Sequence, residues 1–240
     1  MIYSQGSAGS KANYEFRSLI DMQSAGVLTK GNVGVSIYSM SNGVLITTLE
    51  AGIFDDFNIG LSYGGSNIIG TGKIELYKMP GALIKYRIIN ESFFFPAIAF
   101  GFNSQGKGNY IDSLNRYEIK SKGFYASFSK NFQMLGFFSI HGSVNYSLEN
   151  EDDKNVNFSV GLEKTIGERI SFIVEYDFAL NDNSENSLGK DNGYLNLGLN
   201  WSIEQGITIG VNVRNLLKNN KNNLFRADRA IFAEYIQPIF

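Results

Sequence analysis

His141-Gly142-Ser143, with Asn145 two residues further on, places an imidazole and a hydroxyl on one side of an extended chain, the minimum set for nucleophilic hydrolysis. His141 is the only histidine, so a multi-histidine metal centre is excluded within one chain. Cys 0 removes disulfides, thiolate chemistry and cysteine-ligated zinc. Two acidic clusters, Asp152-Asp153 with Glu149 and Glu151, and Asp182 with Glu185 and Asp191, have the oxygen donors of a weak calcium site, but read first as solvated loop charge. The glycine-rich stretch around Gly64-Gly65 and Gly70 opens no helix, so no helix N-terminus waits for a phosphate. No metal and no cofactor is therefore expected. A net charge of −2 with 18% charged residues leaves no basic surplus for nucleic acid.

The elements that would position these side chains are short strands. Gly 26, as many asparagines, Phe 19 and Tyr 13 against Pro 3 make an inventory of strands and turns. No window reaches the roughly 20 apolar residues of a transmembrane helix. Apolar residues instead recur at every second position, in segments long enough for a tilted strand to cross hydrocarbon. The outward registers include Val33, Val35, Ile37; Phe57, Ile59, Leu61, Tyr63; Val156, Phe158, Val160, Leu162; and Leu195, Leu197, Leu199, Trp201. The alternate registers are wet: Asn58, Gly60, Ser62 in one strand, Asn196, Gly198, Asn200 in another. Twelve such segments can be placed between Val33 and the C-terminus.

A soluble sandwich alternates in the same way, and the connections decide. Links after the second, fourth, sixth, eighth and tenth segments are tight, as at Asp55-Asp56 and Gly167-Glu168. Links at 64–81, 104–121, 181–192 and 215–228 are long and polar, and those after the first and seventh are intermediate. Short turns alternating with long loops around an even number of strands describe an all-β, antiparallel up-and-down transmembrane barrel of about 12 strands, with both termini on the short-turn, periplasmic side. Aromatics near strand ends, such as Phe54 with Phe57, Phe93 to Phe95, Phe132 with Phe137, and Trp201, fit interfacial girdles. In this register Glu50, Lys85, Arg87, Glu163, Glu175, Asp177 and Arg214 point inward, as does His141 with Ser139, Ser143 and Asn145. These are the candidate lumen-lining and binding residues; Glu163, Glu175 and Asp177 on adjacent strands are a candidate acidic patch, but the set reads first as solvated or paired lumen charge.

The terminal Phe240 is similar to the closing aromatic that the barrel-assembly machinery reads, which implies Phe240 as an assembly signal and that machinery as a partner. Glu234 and Pro238 share its register, where apolar residues are expected. The stretch Leu19-Ile20-Asp21-Met22-Gln23-Ser24-Ala25-Gly26, together with Gly60-Leu61-Ser62-Tyr63-Gly64-Gly65, Pro96-Ala97-Ile98-Ala99-Phe100-Gly101 and Glu175-Tyr176-Asp177, resembles bacterial outer-membrane proteins of the YjbH kind, associated with exopolysaccharide production. That resemblance implies a compartment and a fold more than an activity. The His-x-Ser spacing is similar to that of outer-membrane phospholipase A, also a twelve-stranded barrel, but the register turns His141 and Ser143 inward, away from lipid.

Residues 1–28 lack clean alternation and form an N-terminal segment, expected to plug the lumen or cap it from the periplasm, and 29–240 form the barrel. Residues 1–10 carry no secretory signal pattern, so the chain reads as a mature one with its signal peptide removed. The expected localisation is the bacterial outer membrane, with outer-membrane lipid and lipopolysaccharide as surroundings. Two functions stay open: a narrow channel or accessory for small polar solutes or saccharides, and a non-conducting structural or docking barrel of an envelope complex. A lipid hydrolase using His141 and Ser143 ranks behind both.

Overall fold

The computed structural model describes residues 15–167, 169–203, 206–221 and 228–239. Its frame is twelve strands: β1 (Asn32–Met40), β2 (Val44–Phe54), β3 (Phe57–Ser66), β4 (Gly81–Ile89), β5 (Ala97–Asn103), β6 (Gly123–Gln133), β7 (Phe137–Tyr146), β8 (Asn157–Ile166), β9 (Ile170–Asp177), β10 (Tyr194–Ser202), β11 (Ile207–Arg214) and β12 (Asp228–Pro238). Each pairs antiparallel with its neighbours in sequence, and β1 closes on β12 from Asn32↔Pro238 to Met40↔Ala230. The ladder has no open edge, so every strand finds its backbone partners without water, which hydrocarbon demands.

Register carries the period-two pattern around the wall. Leu162, Val174, Leu197 and Val213 stand opposite one another across four strands and face out, while His141, Gly161, Glu175 and Asn196 form a parallel row facing in. Outward side chains stay open, Leu61 at 62% and Phe158 at 48% exposure, whereas Ser171 and Glu175 inside are fully covered. Apolar outside and polar inside inverts a water-soluble core, and hydrocarbon is the solvent that fits such a wall.

The end where β1 starts and β12 finishes carries the links 55–56, 90–96, 134–136, 167–169 and 203–206; the other end carries 41–43, 67–80, 104–122, 147–156, 178–193 and 215–227. The alternation holds, with departures. The first link is only three residues, a turn at Ser41–Gly43. Link 90–96 is longer than the expected tight turn because Phe93, Phe94 and Phe95 lie in it rather than in a strand. β9 stops at Asp177, whose carboxylate accepts from Ala179 N at 2.8 Å while Ala179 itself turns left-handed (φ 53°).

Two long loops gain structure that alternation does not foretell. Glu75–Leu76 adds to the upper end of β3, and Lys107–Ile111 pairs with Arg116–Ile119 as a hairpin. Tyr77 and Tyr117 from these loops meet edge to face at 4.8 Å between ring centres and pack on Met40, Val44, Ile46 and Ala230. Those four lie in the inward register of β1, β2 and β12, so the hairpin folds into the mouth of the barrel rather than away from it.

Candidate functional site

The lumen is occupied by the chain's own residues 15–28. A bridge between Ser18 and Gln23, with Leu19 N donating to Met22 O (3.0 Å) and Ser24 N to Arg17 O (3.2 Å), makes a tight loop with Ile20 and Asp21 at its tip. Phe16, Leu19, Ile20 and Met22 are buried against Ile173, the one apolar residue in the inward register of β9. Inward glycines make room: a Cβ on Gly161 would lie 2.3 Å from Leu19 Cδ1. Gly26 is needed for a similar reason, since a Cβ there would meet the Phe16 carbonyl oxygen at 2.2 Å.

Five of the wall charges picked out from sequence, Glu50, Lys85, Arg87, Glu175 and Arg214, converge on this loop. The Glu175 carboxylate accepts from the backbone N–H groups of Ile20 (2.9 Å), Asp21 (2.9 Å) and Met22 (3.1 Å), and from Asn196 Nδ2 (3.1 Å). Lys85 does the reverse, its ammonium donating to the carbonyls of Arg17, Ser24 (3.1 Å) and Gly26 (3.2 Å). Glu50 receives the Arg17 guanidinium, which also pairs with Glu234, and Arg87 binds Glu15 at 2.6 Å and Asp56 at 3.1 Å. Backbone groups that an irregular loop leaves unpaired, the N–H groups of Ile20, Asp21 and Met22 and the carbonyls of Arg17, Ser24 and Gly26, thus find partners on the barrel wall. Glu234 faces the lumen because β12 turns its even-numbered positions inward, which corrects its assignment to an outward apolar register.

The loop tip meets the hairpin from the opposite end. Lys107 Nζ donates to Ile20 O (2.7 Å) and to Asp21 Oδ1 (2.8 Å) and sits 4.2 Å above the Tyr38 ring, while Arg214 reaches Asp21 Oδ1 at 3.4 Å and pairs with Asp228. Asp21 is therefore where the two inserted elements touch. Above it lies a cavity of about 100 Å³ bounded by Asn145, Asn157, Asp177 and the loop residues, and beside it one of about 130 Å³ between the loop and β1–β2.

Of the three inward carboxylates on β8 and β9, two are paired, as lumen charges are expected to be, and one is not. Glu175 takes the loop backbone; Asp177 takes Lys122 (3.1 Å) and Asn157 Nδ2 (2.7 Å); Glu163 is buried with no hydrogen-bond partner among the described residues. His141 and Ser143 do face inward, but His141 Nδ1 bonds Ser129 Oγ at 2.8 Å, and neither Nε2 nor Ser143 Oγ has a partner among the described residues. The imidazole is thus paired with Ser129, and the His141–Ser143 hydrogen bond that the spacing suggests is not formed. Phe240 lies outside the described residues.

In the acidic loop clusters Glu151, Glu185 and Asp191 are exposed, but two aspartates are held by cations. Asp152 and Asp182 both bind Arg116, which is 1% exposed, and Asp152 also binds Lys120. Burial works against the charged Asp152, but Lys120 and Arg116 beside it outweigh that and hold its carboxyl below the usual carboxylate range. Burial pushes Glu149 up and Lys120 down. This knot ties the loops 104–122, 147–156 and 178–193 together over the mouth.

Sequence reasoning missed Arg17, Asp21, Lys107, Arg116, Lys120, Lys122 and Glu234. A signal was present for part of them: apolar Ile173, Val44 and Ile46 and the glycines Gly161 and Gly198 interrupt the wet register where the inserted elements pack.

No family model matches the sequence, and no curated protein matches it. Solved structures do. A KdgM porin aligns with TM-score 0.56 at 9% identity over 85% of this chain and 98% of its own. A KdgM porin in complex with disordered oligogalacturonate aligns with TM-score 0.54 at 8% identity, again over 85% and 98%. The likeness is one of fold, a porin-type outer-membrane barrel.

Proposed function

We propose that this chain is a narrow outer-membrane channel for small polar solutes, saccharides among them, whose lumen is constricted where the Asp21 loop and the Lys107 hairpin meet. The observation that carries the reading is the polar lumen inside a lipid-facing wall, with cavities above and beside the Asp21–Lys107 contact. A closed apolar filling would have sealed the barrel at less electrostatic cost than buried charges, so the wet interior points to passage of polar matter. The porin fold supports the same direction, and the saccharide bound by one of those porins supports the solute class. In this reading 1–28 is a plug and 29–240 the barrel, both termini face the periplasm, and lipid and lipopolysaccharide surround the wall. The resemblance of 19–26 to YjbH-like proteins gains interest because that stretch forms the tip of the lumen loop. Phe240 and the barrel-assembly machinery stay part of the proposal.

The anchoring of the loop by Glu175, Lys85 and Arg17 favours a second reading, a non-conducting docking barrel. Planar-bilayer recording of the purified full chain decides. Stepwise currents that rise in a Lys107→Ala variant support the channel, and a folded but silent barrel in both forms supports docking.

A further inference from the structure

We propose that the upper cavity binds a neutral, hydroxyl-rich saccharide rather than an anionic one. The proposal rests on the channel reading and adds to it the class of solute. Strand residues Asn145, Asn157 and Asn196 and loop residues Asn181 and Asn215 bring amides to one chamber. An amide carries an acceptor and two donors in one plane, and a sugar hydroxyl both gives and takes a hydrogen bond, so clustered amides suit adjacent hydroxyls.

Two of these amides are not used up by the fold. Asn145 is 3% exposed; its Nδ2 donates to Lys122 O at 3.0 Å, but its Oδ1 has no partner. A buried acceptor without a donor calls for one, and a hydroxyl supplies it. The Asn181 carbonyl receives Lys120 at 2.7 Å, while its side-chain amide makes no hydrogen bond among the described residues. A cavity of about 100 Å³ has room for several waters, or for a sugar ring whose hydroxyls take their place.

Charge decides against an anion. Four cations and five carboxylates line the chamber, so no positive excess awaits a sugar acid. The cations are also committed: Lys122 to Asp177, Arg116 to Asp182 and Asp152, Lys120 to Asp152, and Arg214 to Asp21 and Asp228. An incoming uronate would have to strip one of these pairs and leave a buried carboxylate alone.

The test uses the full chain in lipid nanodiscs, with calorimetry and saturation-transfer NMR against maltotetraose, cellotetraose, xylotetraose and tetragalacturonate. At least one neutral tetraose is expected to bind, with a Kd insensitive to salt, and tetragalacturonate to bind at least about tenfold more weakly. Asn181→Ala, whose lost amide supports nothing in the fold, is expected to weaken the neutral sugar about fivefold or more, and Asn145→Ala likewise. Tetragalacturonate binding as tightly as the best neutral sugar, no neutral sugar binding, or a Kd unmoved by both variants would each overturn the proposal. Bilayer currents from the same preparation keep the two readings apart. A silent barrel that binds a neutral tetraose removes the channel and leaves the site; a conducting barrel that binds none does the opposite.

Discussion

Replacing Glu175 should release the lumen loop, and the size of the effect can be worked out. The carboxylate accepts from three consecutive backbone N–H groups at the loop tip, those of Ile20, Asp21 and Met22. Glu175→Ala leaves all three donors without a partner in the fully covered wall row. Water admitted to the space the side chain vacates would restore part of the loss, so each bond is worth about 1 kcal/mol net and the set about 3 kcal/mol. At about 1.4 kcal/mol per factor of ten, the detached population rises ~100-fold. The cysteine-free sequence makes this measurable with a single reporter, Gln23→Cys, at a buried position whose side chain makes no hydrogen bond among the described residues. A bulky maleimide reaches that thiol only when the loop leaves the lumen. Labelling of Gln23→Cys should therefore accelerate ~100-fold when Glu175→Ala is added, with Glu175→Gln intermediate because one oxygen acceptor remains. Rates that agree within about threefold would refute the claim that Glu175 anchors the loop, since the bonds would then contribute under ~0.7 kcal/mol in total.

The other expectations concern the loop knot and the wall. Arg116→Ala leaves Asp182 as a buried charge without a cation and Asp152 with Lys120 alone, and should cost about 3–5 kcal/mol of local stability, seen as protease cutting within 147–156 and 178–193; adding Asp182→Asn should recover part of it. The folded Asp152 carboxyl titrates below its unfolded value, so its contribution is complete above the unfolded pKa of ~3.9 and is lost as pH falls through the folded value. Limited proteolysis of those loops should accordingly not rise between neutrality and about pH 4, since Glu149, pushed up by burial, adds stability as pH falls, and should rise only below it; cutting that begins near pH 6 would contradict the assignment. Gly161→Val drives a side chain into Leu19 and should raise Gln23→Cys labelling through overpacking of about 1–3 kcal/mol. Ser143→Ala should leave any phospholipid hydrolysis by the preparation unchanged, because Ser143 faces the lumen away from lipid and makes no hydrogen bond to His141; activity that vanishes with Ser143 would reopen catalysis.

The wall was legible because one local rule governs it. A strand that meets lipid on one face and a wet lumen on the other must alternate, so each residue's parity declares its side, and the inward positions of Glu50, Lys85, Arg87, Glu163, Glu175, Asp177, Arg214 and His141 follow without knowledge of closure. What fills the lumen obeys no such rule. Lys107, 86 residues away from Asp21 in sequence, finds it only because β1 pairs with β12 and the hairpin folds back onto that seam. Partner choice among charges is a property of the closed barrel, which is why two adjacent strands offer Glu163, Glu175 and Asp177 as an acidic patch while the partners that Glu175 and Asp177 take lie on other elements. The useful clue lay in the exceptions. Ile173 in the wet register would cost solvation if it faced open water, and Gly161 opposite Glu175 gives up strand propensity for nothing unless another chain segment presses on it. Apolar and glycine breaks in an inward polar register therefore mark where a lumen insert docks, and the same criterion picks out Val44 and Ile46 as the seat of the Tyr117 hairpin.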